Sequence, residues 1–159
     1  MMHLLFYLDT DRYAIRAADV IEVIPLVKLK RIPKTPDYVA GMFNYRGVVV
    51  PVIDMRRLTA SRSINNVMST RIILVNYMTE SEEGHVLGLV VEHATDTVRL
   101  NDKEFVDSAV HMGESPCMSD VITDDAGVIQ RIDVENILPD HVREILFMKE
   151  IKKEVSRVS

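Results

Sequence analysis

The apolar residues of this chain are gathered into short runs rich in valine and isoleucine, and that grain limits it to a fold made mainly of strands. Leu4–Leu8, Tyr13–Ala17, Val48–Ile53, Arg71–Tyr77, Val86–Glu92 and Val128–Ile132 each have the length and composition of a strand. Polar and turn-forming residues separate them at spacings that suit barrels or a sandwich. Asp9–Arg12, a polar link between the first two runs, predicts a hairpin. No apolar stretch approaches the roughly 18 residues of a membrane-spanning helix, so no direct membrane insertion is expected.

Helical signals are fewer. Ala17–Ile24 fits either a short helix or a kinked strand, and Asp37, after Pro36, is placed to cap a helical turn running through Met42. The best helical pattern is Asp140–Val158, where Val142, Ile145, Leu146, Phe147, Met148, Ile151 and Val155 make an apolar side between charges. Polar loops are expected at Thr59–Thr70 and Met78–His85, and an irregular region at Asn101–Asp125. The implied organisation is one domain over residues 1–139 and an amphipathic C-terminal helix over 140–159. A faint internal echo runs through that domain. Without gaps, Ala14-Ile15 followed by Val20, Glu22 and Ile24 aligns with Gly88-Leu89 followed by Ala94, Asp96 and Val98. A strand-like run precedes each, as two related β-subdomains in tandem would require.

Composition removes several classes of function. A net charge of −5 argues against a nucleic-acid partner and against attachment to an anionic membrane. Cys117 has no second cysteine to pair with, and Met1–Leu8 lacks the basic start of a signal peptide, so a cytoplasmic protein is expected. His3, His85, His93, His111 and His141 show no metal-ligand spacing, and His111 with Cys117 is far from a zinc pattern. The sequence holds no nucleophile elbow, phosphate-cradling glycine loop or helical pair of histidines. The carboxylate pairs Glu82-Glu83 and Asp124-Asp125 fall in loops. No catalytic residue, metal or cofactor is predicted.

The most specific stretch runs from Gly41 to Arg56, as Gly-Met-Phe-Asn-Tyr-Arg-Gly-Val-Val-Val-Pro-Val-Ile-Asp-Met-Arg. Gly41 and Gly47 can adopt backbone angles closed to most residues. Pro51 lacks an amide donor, so its strand should be an edge or carry a bulge. Asp54 and Arg56, two apart, would share a face if the strand continued through them.

This stretch resembles the signature of the CheW domain family, in which a glycine precedes Asn-Leu-Arg-Gly, an apolar run, Pro and Asp-Leu-Arg. The likeness extends to Val20-Ile21-Glu22-Val23, to Ile32-Pro33 with Pro36, to Leu87-Gly88-Leu89-Val90-Val91-Glu92 and to Gly127–Asp133, and so covers roughly Leu4 to Leu138. Tyr45 and Met55 stand where the family has leucine, Glu92 where it has aspartate, and Gln130-Arg131 interrupts the last apolar strand. The resemblance implies two five-stranded SH3-like β-barrels side by side. It also implies a non-catalytic scaffold that joins the cytoplasmic tips of methyl-accepting chemotaxis receptors to the regulatory domain of a CheA-type histidine kinase, in arrays at the membrane. The protein-binding residues it carries over are Val20, Glu22, Gly41, Asn44, Arg46, Gly47, Asp54, Arg56 and Gly88. Arg46 reads equally as a receptor contact or as a structural arginine, paired with Asp54 or capping backbone carbonyls. Gly41 and Gly88 read as backbone requirements. A small β-barrel enzyme or ligand-binding protein with a pocket between its subdomains is the alternative.

Overall fold

A computed structural model of the chain describes residues 1–59, 68–78, 84–107 and 120–147. Its strands are β1 (Met2–Leu8), β2 (Asp11–Arg16), β3 (Val20–Pro25), β4 (Val39–Tyr45), β5 (Val48–Asp54), β6 (Thr70–Met78), β7 (Gly84–Arg99), β8 (Val106–Asp107), β9 (Asp120–Asp124) and β10 (Gly127–Arg131). Helix among the described residues is limited to short 3-10 turns, the single turn α1 (Met55–Leu58) and α2 (Asp140–Phe147).

The long strand β7 divides its work at Glu92 and His93. Its first half pairs with β6 from Gly84 to Glu92 and, in parallel, with β5, while its second half pairs with β1 from Glu92 to Arg99. His93 takes a positive φ of 46°, and the β1 register shifts beside it, so the strand turns as it passes from one sheet to the next. One barrel therefore runs β3, β6, the first half of β7, β5, β4. The other runs from the second half of β7 through β1, β2, β10 and β9 to β8. Each closes in the same way. Lys30, downstream of β3, bridges to Met42 on β4, and β8, downstream of β7, pairs with β9.

The tandem echo acquires a different meaning from the one expected. The repeats do follow one another in sequence, but neither folds into a barrel of its own. The β1–β2 hairpin lies in one barrel and its following strand β3 in the other; β6 and the first half of β7 lie opposite, and the second half of β7 crosses back. The hairpins β4–β5 and β9–β10 cross in the same manner, each adding its second strand in parallel to the other repeat's hairpin. Even the register agrees. Gly88 sits opposite Val52 and its counterpart Ala14 opposite Arg131, each small residue facing a barrel interior.

Strand alternation then produces three apolar clusters. Ile72, Leu74, Val90, Val50 and Val52 fill one barrel, and Leu5, Ala14, Ile122 and Ile129 fill the other. The opposite faces of the same strands, with Leu4, Phe6, Leu8, Ile15, Ile73, Val75, Leu87 and Leu89, form the largest cluster, between the barrels. At roughly 1.5–3 kcal/mol for each fully buried large side chain, this shared core binds the barrels more firmly than either interior holds itself. Val142 and Phe147 of α2 join it, and Phe147 stacks on Tyr77 with ring centroids 5.4 Å apart.

Several local expectations change. Asp37 caps no helix: Val39 N–H bonds the Pro36 carbonyl at 3.0 Å to close one turn, and β4 begins there. Ala17–Ile24 divides into a 3-10 turn at Ala17–Asp19 and the strand β3. The β1–β2 link is only Asp9-Thr10, since Leu8 pairs with Asp11. Part of Asn101–Asp125 is ordered as β8 and β9, while 108–119 lie outside the described residues, as do 60–67, 79–83 and 148–159 of the expected loops and helix.

Candidate protein-binding site

The β4–β5 hairpin is closed by Arg46 and Gly47, with Tyr45 opposite Val48. Both loop residues have positive φ, 50° and 87°, which is the two-residue turn whose twist matches that of a hairpin. The Asn44 side-chain oxygen accepts from the Gly47 amide at 2.8 Å and fixes the turn. Arg46 is not a residue that favours this backbone region, so its presence there is unexplained by turn chemistry alone.

Its side chain shows what it does there. Arg46 Nη2 lies 3.5 Å from Glu22 Oε2 on β3, and the guanidinium sits 5.1 Å above the Tyr45 ring. The Tyr45 hydroxyl donates to the same Glu22 oxygen. That bond holds the phenol protonated, with its pKa above the ordinary tyrosine value. Glu22, Tyr45 and Arg46 thus form one cluster, with the Arg46 side chain 76% exposed and Glu22 40%. Val48 and Val49, each about half exposed on the next strand, extend it with apolar surface. Screening by solvent limits such an ion pair to at most about 1 kcal/mol of stability, so its charges are available for contact.

The remaining predicted residues support this surface or lie away from it. Gly41 has φ 147°, and a Cβ there would stand 2.6 Å from the Lys30 carbonyl oxygen. Gly88 is buried inside the first barrel, where a Cβ would meet methyls of Val52 and Ile72 at 3.0 and 3.1 Å, so it acts through packing. Val20 is half buried against the shared core. Asp54 and Arg56 do not share a strand face as expected. Asp54 ends β5 and caps α1 by accepting the Arg56 amide at 3.0 Å, and Arg56 Nε and Nη2 return to its two oxygens at 3.0 and 3.1 Å. Arg46 pairs with Glu22, not with Asp54. Tyr45 and the exposed valines are not among the predicted residues; the only signal for Tyr45 is its standing where leucine is expected.

Two other sequence anomalies are absorbed by the fold. Arg131 reaches Asp120 at 2.5 Å and Asp102 at 3.1 Å, and its guanidinium stacks 4.1 Å over Phe105. Gln130 donates to the Asp120 carbonyl at 3.0 Å. Both polar residues therefore tie the end of the second barrel together. No group of three or more His, Cys, Asp or Glu is placed to hold a metal among the described residues, and none of their helices is long and apolar enough to cross a membrane.

A pair of interlocked small barrels carrying a polar, solvent-facing hairpin tip defines the class: a two-barrel β module. Residues 2–152 match the CheW-like domain, and the chain belongs to that family. It is 32% identical over 101 residues to the chemotaxis protein CheW of Klebsiella aerogenes, covering 64% of this chain and 58% of that one. Against the chemotaxis protein CheW of Helicobacter pylori the identity is 26% over 99 residues, covering 62% and 57%. The chain thus spans less than two thirds of these curated relatives. The scaffolding protein TtCheW from Thermoanaerobacter tengcongensis superimposes with a TM-score of 0.81 over 91% of this chain and 92% of that one, at 23% identity. That likeness bears out the mainly-β fold of two SH3-like subdomains.

Proposed function

We propose that this chain is a non-catalytic coupling protein of a chemosensory array, linking the cytoplasmic tip of a methyl-accepting chemoreceptor to the regulatory domain of a CheA-type histidine kinase. It would act in the cytoplasm, recruited to receptors at the membrane, without cofactor or nucleic acid. Family membership over nearly the whole chain supports this, as do the names of its relatives. The observation that carries the binding surface is the cluster at the hairpin tip. Two of the residues that the family resemblance marks for protein binding, Glu22 and Arg46, are exposed, adjacent and held in place by Tyr45 and Asn44. Arg46 presents the planar fork that suits a carboxylate or carbonyl on a partner helix.

The test is receptor-tip binding by Arg46→Glu and Glu22→Lys, with a melting curve for each. Both side chains are too exposed for either variant to unfold, so stability should change by no more than about 1 kcal/mol. Each variant should bind the receptor tip at least about tenfold more weakly, through lost contacts and new repulsion. Folded variants that bind normally would sink the assignment. Restored binding in the double variant would show that the charges matter only to each other.

A further inference from the structure

We infer that the chain carries a second binding site, for an acidic, partly apolar polypeptide segment, in the cleft between the β3–β4 loop and α1. The cleft encloses about 790 Å³ and is lined by Arg31, Lys34 and Arg57 among apolar residues such as Leu29, Pro33 and Pro36. It lies at the end of β4 and β5 away from the hairpin turn, about 20 Å from Arg46 along the six steps from Val39 to Tyr45. The hairpin-tip cluster and this cleft are separate surfaces, and the inference does not rest on the role given to the first.

Charge is the first observation. Arg12, Arg16, Arg46, Arg56, Arg131 and Arg143 each have a carboxylate partner within the chain. Among the described cations without such a partner, Arg31, Lys34 and Arg57 line one cleft. Of the two acids beside them, Asp54 is neutralised by Arg56, which leaves Asp37 alone against three cations. The loop adds Lys28 and Lys30, so residues 26–36 hold four cations and no acid in a chain of net charge −5. A basic site on an acidic protein attracts a compact anionic group while the rest of the surface repels an extended polyanion such as a membrane or a nucleic acid.

The second observation is preorganisation. The loop is pinned by the reciprocal Lys30–Met42 backbone bonds at 2.8 Å, by Thr35 Oγ1 donating to the Ile32 carbonyl at 2.7 Å, and by Ile32 buried in the shared core. On the other wall, Asp54 N–H bonds the Tyr38 carbonyl at 2.7 Å, and Arg57 stands on the capped turn α1. Lys34 is held at φ 61°, a conformation that disfavours a lysine and is retained here beside the cleft. The lining mixes cations with apolar walls, and Leu26 and Val27, earlier in the same loop, are each more than a third exposed. Bare phosphate would leave those apolar surfaces wet. A peptide bearing glutamates and leucines would cover them and give each cation a carboxylate.

The experiment is titration of the full chain, amide-labelled for NMR, with an eight-residue peptide alternating glutamate and leucine, and separately with inorganic phosphate and with phosphatidylserine vesicles. The expected result is saturable shifts at Arg31, Lys34, Thr35 and Arg57 with the peptide, weakened by salt. Lys34→Gly removes the charge at a position whose backbone glycine prefers, so it should melt no lower than the parent while binding more weakly. Adding Arg57→Gln should bring the loss to about tenfold. No shifts with the peptide, equal affinity in both variants, or binding as strong to phosphate or vesicles would each overturn the inference.

Discussion

Replacing Gly41 with alanine tests whether this family's first signature glycine is required by contact or by backbone. Its φ of 147° lies where residues with a side chain are strained, at a cost of about 1–3 kcal/mol. The new methyl would also stand 2.6 Å from the Lys30 carbonyl oxygen and 3.0 Å from Leu29 Cβ. Backbone must move to relieve that approach. The Lys30 carbonyl is one half of the reciprocal bonding with Met42 that closes the first barrel, and each of those hydrogen bonds contributes about 1 kcal/mol. The sum is about 3–5 kcal/mol, which in a chain of this size lowers the melting temperature by roughly 6–20 °C.

The assay is calorimetry of Gly41→Ala beside Gly47→Ala. Gly47 also has positive φ, but nothing lies within 4 Å of the point where a methyl would stand, so its variant should lose only about 1 kcal/mol. Amide exchange adds a local reading. Protection should fall at Lys30 and Met42 and persist at Ile132, whose amide bonds Ala14 in the other barrel. If Gly41→Ala melts no lower than Gly47→Ala, the steric argument is wrong, and the glycine is needed for something other than its backbone.

Two further variants probe packing and charge. Gly88→Val should cost about 2–3 kcal/mol by overfilling the first barrel, and Val52→Ala in the same chain should recover part of that loss, because it removes the methyl the new side chain meets; additive costs in the double variant would refute this. The Arg12 guanidinium, bonded at 2.9 and 2.5 Å, holds the Asp124 carboxyl down at about 2, so its stabilisation is complete above the unfolded carboxylate value near 3.9 and is lost as pH falls through about 2. The stability gap to Asp124→Asn, measured by denaturant titration, should close over that window and stay flat above about pH 5; a gap independent of pH would show that the pair does not set it.

What can be read from the residues follows from where each strand's faces point. β1, β5, β6 and the first half of β7 are buried on both faces or nearly so, and their apolar runs are visible without any knowledge of partners. β3 and the second half of β7 are the exchanged strands, partly exposed, and Glu22, Asp96 and a turned His93 interrupt their apolar residues, so neither stands out as a continuous apolar run. The site divides in the same way. Gly41, Asn44 and Gly47 are local requirements, legible because a turn or a close approach demands those residue types. The pairing of Glu22 with Tyr45 and Arg46 joins residues about twenty-three positions apart across the closure of the first barrel between β3 and β4, which no local pattern reveals. Asp54 and Arg56 are legible as a pair, but the helical turn between them puts both charges to structural use.

The exchange also bears on how such a module could serve as a coupling protein. An adaptor that holds two partners in a fixed relation needs barrels that do not swing independently, since free rotation would disperse the geometry it transmits. Here β3, which carries Glu22, belongs in sequence to the β1–β2 hairpin of one barrel yet is paired along β6 of the other. β7 returns the connection as one strand, paired first along β6 and then, past the irregularity at His93, along β1. Moving one barrel against the other would require bending two covalent crossings and opening the largest apolar cluster, which lies between them. Independent domains joined by a linker meet neither cost. Partners bound at separate ends of this chain would therefore feel one another through a nearly rigid body, and any change of signalling state would have to come from how they are seated on it rather than from flexure within it.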